Sequence, residues 1–597
     1  MVLQNIDWII LGSFFIILLF LGFMASRNAG KSTADFFLSG RNMPWWLLGV
    51  SMVATTFSCD TPNLVTDIVR QNGVSGNWVW WAFVLTGMLT VFVYAKLWRR
   101  SKVLTDLEFY EIRYGGKMAA FLRGFRAIYL GGFFNIVVIA TVSLALIKIS
   151  GVMFNWPAWK TLVIASLIMI LYTATGGLKS ILVTDFFQFG VAMTGVIGAA
   201  IIVVRMPEIG GLKNLVAHPA VAGKLNMIPD FNNRDLIVTL FILPLALQWW
   251  SVWYPGAEPG GGGYVAQRML SAKSEGGARK ATLLFNILHY ALRPWPWIIV
   301  ALASLIVYPD IDSLREAFPG VNGQFIKNDI AYPAMLSHLP AGFLGLVVAS
   351  LIAAFMSTTA SQINWGSSYI VNDFYTRFIN PSASQKSQVL AGRISTIVLM
   401  TLAVLLALLL SNALQAFNIL LQIGAGTGLI YILRWFWWRI NAYTELTGMI
   451  VSFVVALYFE IIHVKLGFPP IPTAVKLVSG VAITTAAWML VTLLTKPEKK
   501  ETLRRFYQLV HPGGPGWKKV IDEAESEGIT LVSPEKAGWD VPTGIICMLL
   551  GSSIVILSLF ATGYILYGKH TVASIYIVID IIFIALLIKT WKKLKTD

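Results

Sequence analysis

The chain has 597 residues, of which 56% are hydrophobic and 13% charged, and it repeatedly gives apolar runs of about 18–25 residues, each long enough to cross a bilayer. That composition excludes a disordered or purely soluble protein. The net charge of +16 would suit nucleic acid, but Lys and Arg concentrate in the connections after odd-numbered runs, which is the bias that orients membrane proteins, so no nucleic-acid partner is expected. Cys59 and Cys547 are the only cysteines, and neither a disulfide framework nor a cysteine metal site can be built from them.

About fifteen candidate spans follow from hydropathy, beginning near Asp7, Trp45, Asn77, Ala127, Lys160, Thr184, Ile237, Ala281, Pro340, Val389, Ala413, Tyr443, Thr473, Thr543 and Val572. The first has no basic segment before it and no small-residue cleavage site, so it reads as a retained helix and not a signal peptide. The basic connections place the N-terminus outside and the C-terminus, KTWKKLKTD, in the cytoplasm. The expectation is an all-α, multi-pass protein of the plasma (inner) membrane, with the lipid bilayer as its surroundings and no obligatory protein partner.

In chain order, the cytoplasmic loop 26–44 carries Arg27, Lys31 and Arg41. Span two then reads Ala54-Thr-Thr-Phe-Ser-Cys-Asp60-Thr-Pro62-Asn63, a cluster of helix-competing residues in place of Leu and Val. Pro62 cannot donate to a helix and disfavours helix at Thr61, so the backbone is expected to open there and free carbonyls at membrane depth. Trp78, Trp80 and Trp81 at the start of span three suit an aromatic belt. Gly176-Gly-Leu to Thr184-Asp185 makes a tight cytoplasmic turn that leaves Asp185 at the start of a helix, where it either caps the helix or handles an ion.

Span seven contains Trp249-Trp-Ser-Val-Trp253-Tyr254 followed by two prolines and five glycines within Pro255 to Gly263, with Glu258 among them. No regular helix survives such a run, and irregular backbone at membrane depth is tolerated only where it is buried in protein or lines a cavity. The Gly run is not a phosphate loop, because GxxxxGK[ST] is absent. The two broken spans lie five apart, and an odd offset reverses direction in the membrane. Spans two to six and seven to eleven therefore read as two five-helix repeats of inverted topology, an arrangement in which paired interrupted helices mark a transporter site at the midplane.

Six segments follow: 1–44, an extra N-terminal span with its loop; 45–236, the first repeat; 237–442, the second repeat; 443–494, two further spans; 495–541, a basic cytoplasmic loop too short for a catalytic domain; and 542–597, two C-terminal spans with a basic tail. Span eight carries His289 and Arg293. In span nine, Ala354, Ser357, Thr358 and Ser361 fall at i, i+3, i+4 and i+7, one stripe of a helix. Such a stripe offers neutral oxygens to a small hard cation, or lets helices pack closely. Asn418 and Gln422 in span eleven, followed by Gly424, Gly426 and Gly428, admit the same two readings: a substrate-facing stripe or a packing seam.

These stretches together resemble the sodium:solute symporter family, which includes sodium/glucose, sodium/proline and sialic acid cotransporters. The matching segments are Asp35-Phe-Phe-Leu-Ser-Gly-Arg41, Gly176-Gly-Leu to Thr184-Asp185-Phe-Phe-Gln188, Gln267-Arg-Met-Leu-Ser-Ala-Lys273-Ser, Ala353 to Asp373, and Phe436-Trp-Trp-Arg439-Ile-Asn441. The resemblance implies a five-plus-five inverted-repeat (LeuT-like) core with flanking helices, and sodium as the co-transported ion. It implies a sodium site made of the carbonyls of Ala54, Phe57 and Ala354 and the hydroxyls of Ser357 and Thr358. A second sodium, present in some relatives, would involve Asp185, Ser357 and Ser361, although one hydroxyl position of that pattern is Ala360 here.

Span seven departs from the family, whose members place aromatic and amide residues where this chain has Pro255 to Gly263 with Glu258. The substrate-binding candidates are Asp60, Thr61, Trp253, Tyr254, Glu258, Gly261, Gly262, Asn418 and Gln422. Asp60 and Glu258 suit an ammonium, solute hydroxyls or a coupled proton, or else only pair with each other's surroundings. The function expected is sodium-coupled import of a small polar organic solute, a sugar or related compound, by alternating access. An intramembrane enzyme using Asp60, Glu258 and His289 lacks a nucleophile or metal-ligand constellation, and a solute sensor signalling through 495–541 lacks a recognisable signalling domain.

Overall fold

The structure is a computed structural model that describes residues 3–26, 38–173, 178–531 and 538–594. Arg27, Lys31 and the Asp35-Phe-Phe start of the first matching segment lie outside the described residues, as does the Gly176-Gly turn.

Among the described residues no β-strand occurs, and only two isolated bridges join extended positions, Met43 with Ala272 and Val252 with Ala425. Backbone groups in hydrocarbon must be satisfied internally, and helices do this with their own hydrogen bonds. Eleven helices are long and apolar enough to span a membrane among the described residues. The described helices begin with α1 (Asn5–Ser26), followed by α2 (Trp45–Thr56), α3 (Asp60–Asn72), α4 (Val74–Ser101), α5 (Gly116–Phe154), α6 (Ala158–Thr173) and α7 (Leu178–Val204).

Next come a helical run, α8 (234–251), then α9 (Gly263–Leu270), α10 (Glu275–Val307), α11 (Phe343–Ile379), α12 (Gln385–Ala407), α13 (Ala413–Gly424) and α14 (Gly428–Phe436). Beyond α14 lie α15 (Ala442–Lys465) and α16 (Thr473–Leu494), two shorter helices α17 (Lys500–Val510) and α18 (Lys518–Ser526), and the closing pair α19 (Val541–Leu566) and α20 (His570–Trp591). Four of the expected spans are interrupted or short in the structure: α2/α3, α6, α8/α9 and α13/α14.

α11 is the centre of the bundle. It packs on α1, α2, α5, α7 and α12, and 83% of its most apolar window is buried in protein. α12 and α20 bury only 22% and 11% of theirs, and exposed Ile and Leu such as Ile394, Leu405, Ile581 and Ile588 face outward, as lipid contact requires. The Ala, Ser, Thr and Gly face of α11 lets α2 and α7 approach closely, as small residues do between membrane helices.

Candidate functional site

The backbone of span two opens ahead of Pro62. α2 ends at Thr56, Phe57 takes φ −80° and ψ 82°, and helix resumes at Asp60, with Pro62 in the first turn of α3, where a missing N–H costs least. The Phe57 N–H still reaches the Val53 carbonyl at 2.7 Å, but the later carbonyls of α2 lose their i+4 donors. α11 lies against this opening. Its Thr358 hydroxyl donates to the Thr55 carbonyl at 2.8 Å, and Ser361 Oγ lies 3.1 Å from Thr55 Oγ1. The Ala54, Phe57, Ala354, Ser357 and Thr358 set is thus drawn from two helices in contact, with Ser357 and Thr358 nearly fully buried.

Asp185 is the eighth residue of the described part of α7, fully buried, and not at a helix start. Its carboxylate accepts from Ser51 and from Ser357, both at 2.5 Å, so it joins α2, α7 and α11. This removes the capping alternative. The Arg268 guanidinium from α9 enters the same polar cluster, 3.1 Å from Ser361 Oγ, 3.3 Å from Thr55 Oγ1 and 3.4 Å from Ser51 Oγ. A cation is therefore already present among the oxygens of Asp185 and Ser361. In the sequence Arg268 is only a member of the Gln267–Ser274 matching segment; the packing of α9 against α2 brings it inside.

Beside the opening of span two is a small, partly open cavity of about 80 Å³. Its polar lining comprises Thr55, Thr56, Ser58, Asp60, Thr61, Thr141, Tyr254, Tyr264, Thr358 and Gln362, and its apolar lining includes Leu64, Val142, Phe417 and Leu420. Thr358 and Thr55 belong both to this lining and to the α2–α11 contact. The cavity thus touches the region where the ion site is expected. Thr56 Oγ1 lies 2.7 Å from the Tyr264 hydroxyl, which fixes both hydroxyls at the wall.

Of the substrate candidates, Asp60, Thr61 and Tyr254 line this cavity, and the others lie elsewhere. Trp253 packs edge-on to Phe134 with centroids 4.7 Å apart, and its N–H donates to the Gly424 carbonyl at 3.1 Å. Gln422 donates to the Lys476 carbonyl at 3.1 Å, toward α16, and Asn418 is outside the lining. The Gly run approaches protein: a Cβ on Gly261, whose φ is +74°, would meet Trp98 Nε1 at 2.8 Å, and the Gly260 carbonyl accepts from that same Nε1 at 2.8 Å.

Glu258 is outside the cavity lining, and the Gly run brings it near Asp106 of the loop after α4. A Cβ on Gly262 would lie 3.4 Å from Glu258 Cβ and 3.8 Å from Asp106 Oδ2. Asp106 accepts from the Gly263 N–H at 2.9 Å and from the Tyr369 hydroxyl of α11. Burial raises the Asp106 carboxyl above its usual range, and the bonds from Tyr369 and Gly263 oppose that rise. Asp106, Tyr264, Arg268 and Gln362 were missed in the sequence. Asp106 stands one residue after Thr105 in an ordinary polar loop, and nothing local distinguishes it.

The sodium:solute symporter family model matches residues 36–452. The chain is 25% identical over 494 residues to a sodium/glucose cotransporter of Vibrio parahaemolyticus, covering 78% of this chain and 87% of that one. It is 26% identical over 560 residues to a sodium/myo-inositol cotransporter of Mus musculus, covering 84% and 75%. A solved Na+-coupled sialic acid symporter, 21% identical, shares the fold with a TM-score of 0.66 over 83% of this chain and 99% of its own. These matches take in both interrupted helices and the α2–α11 contact, and with them the inverted-repeat core is that of a transporter and not an enzyme, with sodium as the co-transported ion: the chain belongs to the sodium:solute symporter family.

Proposed function

We propose that the chain imports a small polyhydroxylated solute, a sugar or a related compound, together with sodium across the plasma membrane, by exposing the cavity beside the α2 break to each side in turn. The observation that carries this reading is the shared wall. Thr55 and Thr358 belong both to the cavity and to the helix contact expected to hold sodium, so one rearrangement of α2 against α11 acts on both ligands. The hydroxyls and amide of Thr56, Thr61, Tyr254, Tyr264 and Gln362 offer both donors and acceptors, and Asp60 accepts strongly. That mixture suits hydroxyl groups, and glucose, mannose and myo-inositol are the solutes in the names of relatives.

The sodium site in this reading takes the carbonyls of Ala54, Phe57 and Ala354 and the hydroxyls of Ser357 and Thr358. Its binding draws Thr358 Oγ from the Thr55 carbonyl and Ser357 Oγ from Asp185, so the ion favours one arrangement of α2, α7 and α11. Its differential affinity limits the coupling. One sodium entering down 100 mV supplies about 2.3 kcal/mol, and a tenfold sodium gradient adds about 1.4 kcal/mol. Together these support a solute gradient on the order of a few hundred-fold. With the N-terminus outside, entry runs toward the face of the basic loops.

The test is uptake into proteoliposomes of purified protein, with labelled hexoses, inositols and acidic sugars, with and without a sodium gradient and a membrane potential. Sodium-dependent accumulation of one of these, enhanced by an inside-negative potential, is the expected result. Sodium-stimulated binding with no flux would replace the transporter with a sensor, and accumulation of a quaternary amine in preference to every polyol would overturn the solute class.

A further inference from the structure

Two carboxylates flank the Gly run of span seven near the loop after α4: a Cβ on Gly262 would lie 3.5 Å from Glu258 Cγ and 3.8 Å from Asp106 Oδ2. Asp106 is well provided for: the Gly263 N–H and the Tyr369 hydroxyl both donate to it. Glu258 is 3% exposed, and its Oε1 has no hydrogen-bond partner. A Cβ on Gly263 would come 2.7 Å from that oxygen and 3.3 Å from the Trp365 ring, so the carboxyl is held against bare backbone and an indole face. Among the described residues neither acid has a Lys or Arg within ion-pair distance: Arg126 and Arg434, the nearest cations, lie against Glu445 at 3.6 Å. Tyr254 and Tyr264 are the other titratable groups that face Glu258.

An ionised carboxylate with an unpaired oxygen, buried beside a second carboxylate, is costly on both counts, whereas a neutral acid in that place loses little. Donors surround Asp106 and none reaches Glu258 Oε1, so the two environments diverge, as in acid pairs that share one proton. We infer that Glu258 and Asp106 form a proton-binding site in which Glu258 carries the proton and Asp106 stays ionised. The charges balance: one proton on Glu258, one negative charge on Asp106, none exchanged with a metal. When water reaches the site, Glu258 releases its proton to solvent and the two anions repel. The dry form holds the proton and the hydrated form does not, so the dry form is favoured at low pH. Between the two apparent pKa values, each unit rise in pH shifts the balance toward the hydrated form by up to tenfold.

Infrared spectroscopy of the purified full-length protein in detergent tests the site without any transport assay, so its outcome is separable from that of the uptake experiment. The expected spectrum near neutral pH contains the C=O stretch of a protonated carboxyl that moves on labelling all Glu with ¹³C, does not move on labelling all Asp, and is absent in Glu258→Gln. In Asp106→Asn, which removes the neighbouring anion, the pH at which the band disappears should fall. A band that follows the Asp label, or one retained in a Glu258→Gln protein that still melts cooperatively, would overturn the assignment. Absence of any such band in the wild type would do so as well, whatever the variants do.

Discussion

Ser357 and Thr358 each already have a hydrogen-bond partner, Asp185 and the Thr55 carbonyl, so sodium must compete for their oxygens. A hydrogen bond or ligand to a charged group is worth roughly 1.5–3 kcal/mol. Ser357→Ala with Thr358→Ala should therefore raise the sodium concentration for half-maximal uptake by about tenfold or more, with little change in the melting temperature measured without sodium. An unchanged half-saturation would remove both hydroxyls from the ion site. Asp185 poses a different question, because Arg268 stands in the same cluster and Ser361 is 3.1 Å from its guanidinium. Asp185→Asn keeps an accepting oxygen for only one of Ser51 and Ser357, turns an NH2 to the other, and leaves that buried guanidinium uncompensated. We expect a changed sodium dependence or slower turnover with expression nearly intact. Wild-type sodium dependence in this variant would count against any ion role for Asp185. The stripe of α11 was legible because it is a periodicity. Its partners were not, since Ser51, Asp185 and Arg268 are scattered over 217 residues of sequence and meet only when three helices pack.

At the scale of elements, the break in span seven touches the break in span eleven. Trp253 in the interruption after α8 donates to Gly424 at the end of α13, and the Gly426 N–H donates to the Ser251 carbonyl at 2.8 Å. A Cβ at Gly424 would stand 2.0 Å from the Trp253 carbonyl oxygen, and backbone cannot move aside as a side chain can. Gly424→Ala should cost about 1–3 kcal/mol through overpacking and lower both the melting temperature and the uptake rate; normal values of both would show that the two breaks are not in register. Gly261→Ala combines a φ of +74° with the contact to Trp98 and should impair folding more than solute affinity. A raised Michaelis constant with unchanged stability would return Gly261 to the solute. Composition alone required these breaks, because Pro and Gly cannot continue a helix. The Gly residues at the end of α13, read as either a substrate stripe or a seam, serve as a seam for the span-seven backbone.

For the whole molecule, the 495–541 connection is built onto the transporter core. Trp517 is fully buried and donates to the Trp435 carbonyl of α14 at 2.8 Å, Glu498 accepts from the Gly115 N–H at 2.9 Å, and Asp540 pairs with Lys96 of α4. The Arg113 guanidinium lies 5.1 Å from the Trp517 ring and 5.3 Å from that of Phe506. Trp517→Ala should destabilise the protein by about 3–5 kcal/mol, read as a fall in melting temperature, while the sodium half-saturation of the folded fraction holds; an unshifted melting curve would make the connection a passive linker. By itself, the sequence determined the membrane location, the all-helical class, the two interrupted spans and the inverted repeat they imply, because hydropathy, Pro and Gly act locally on the backbone. Tertiary structure alone decided which polar residues meet. It put Asp60 and Tyr254 in the cavity lining, left Glu258 outside it near Asp106, and drew Arg268 to Asp185 and Ser361. A carboxylate's partner is set by distance in space, and in a bundle of apolar helices no local pattern records which helix faces which.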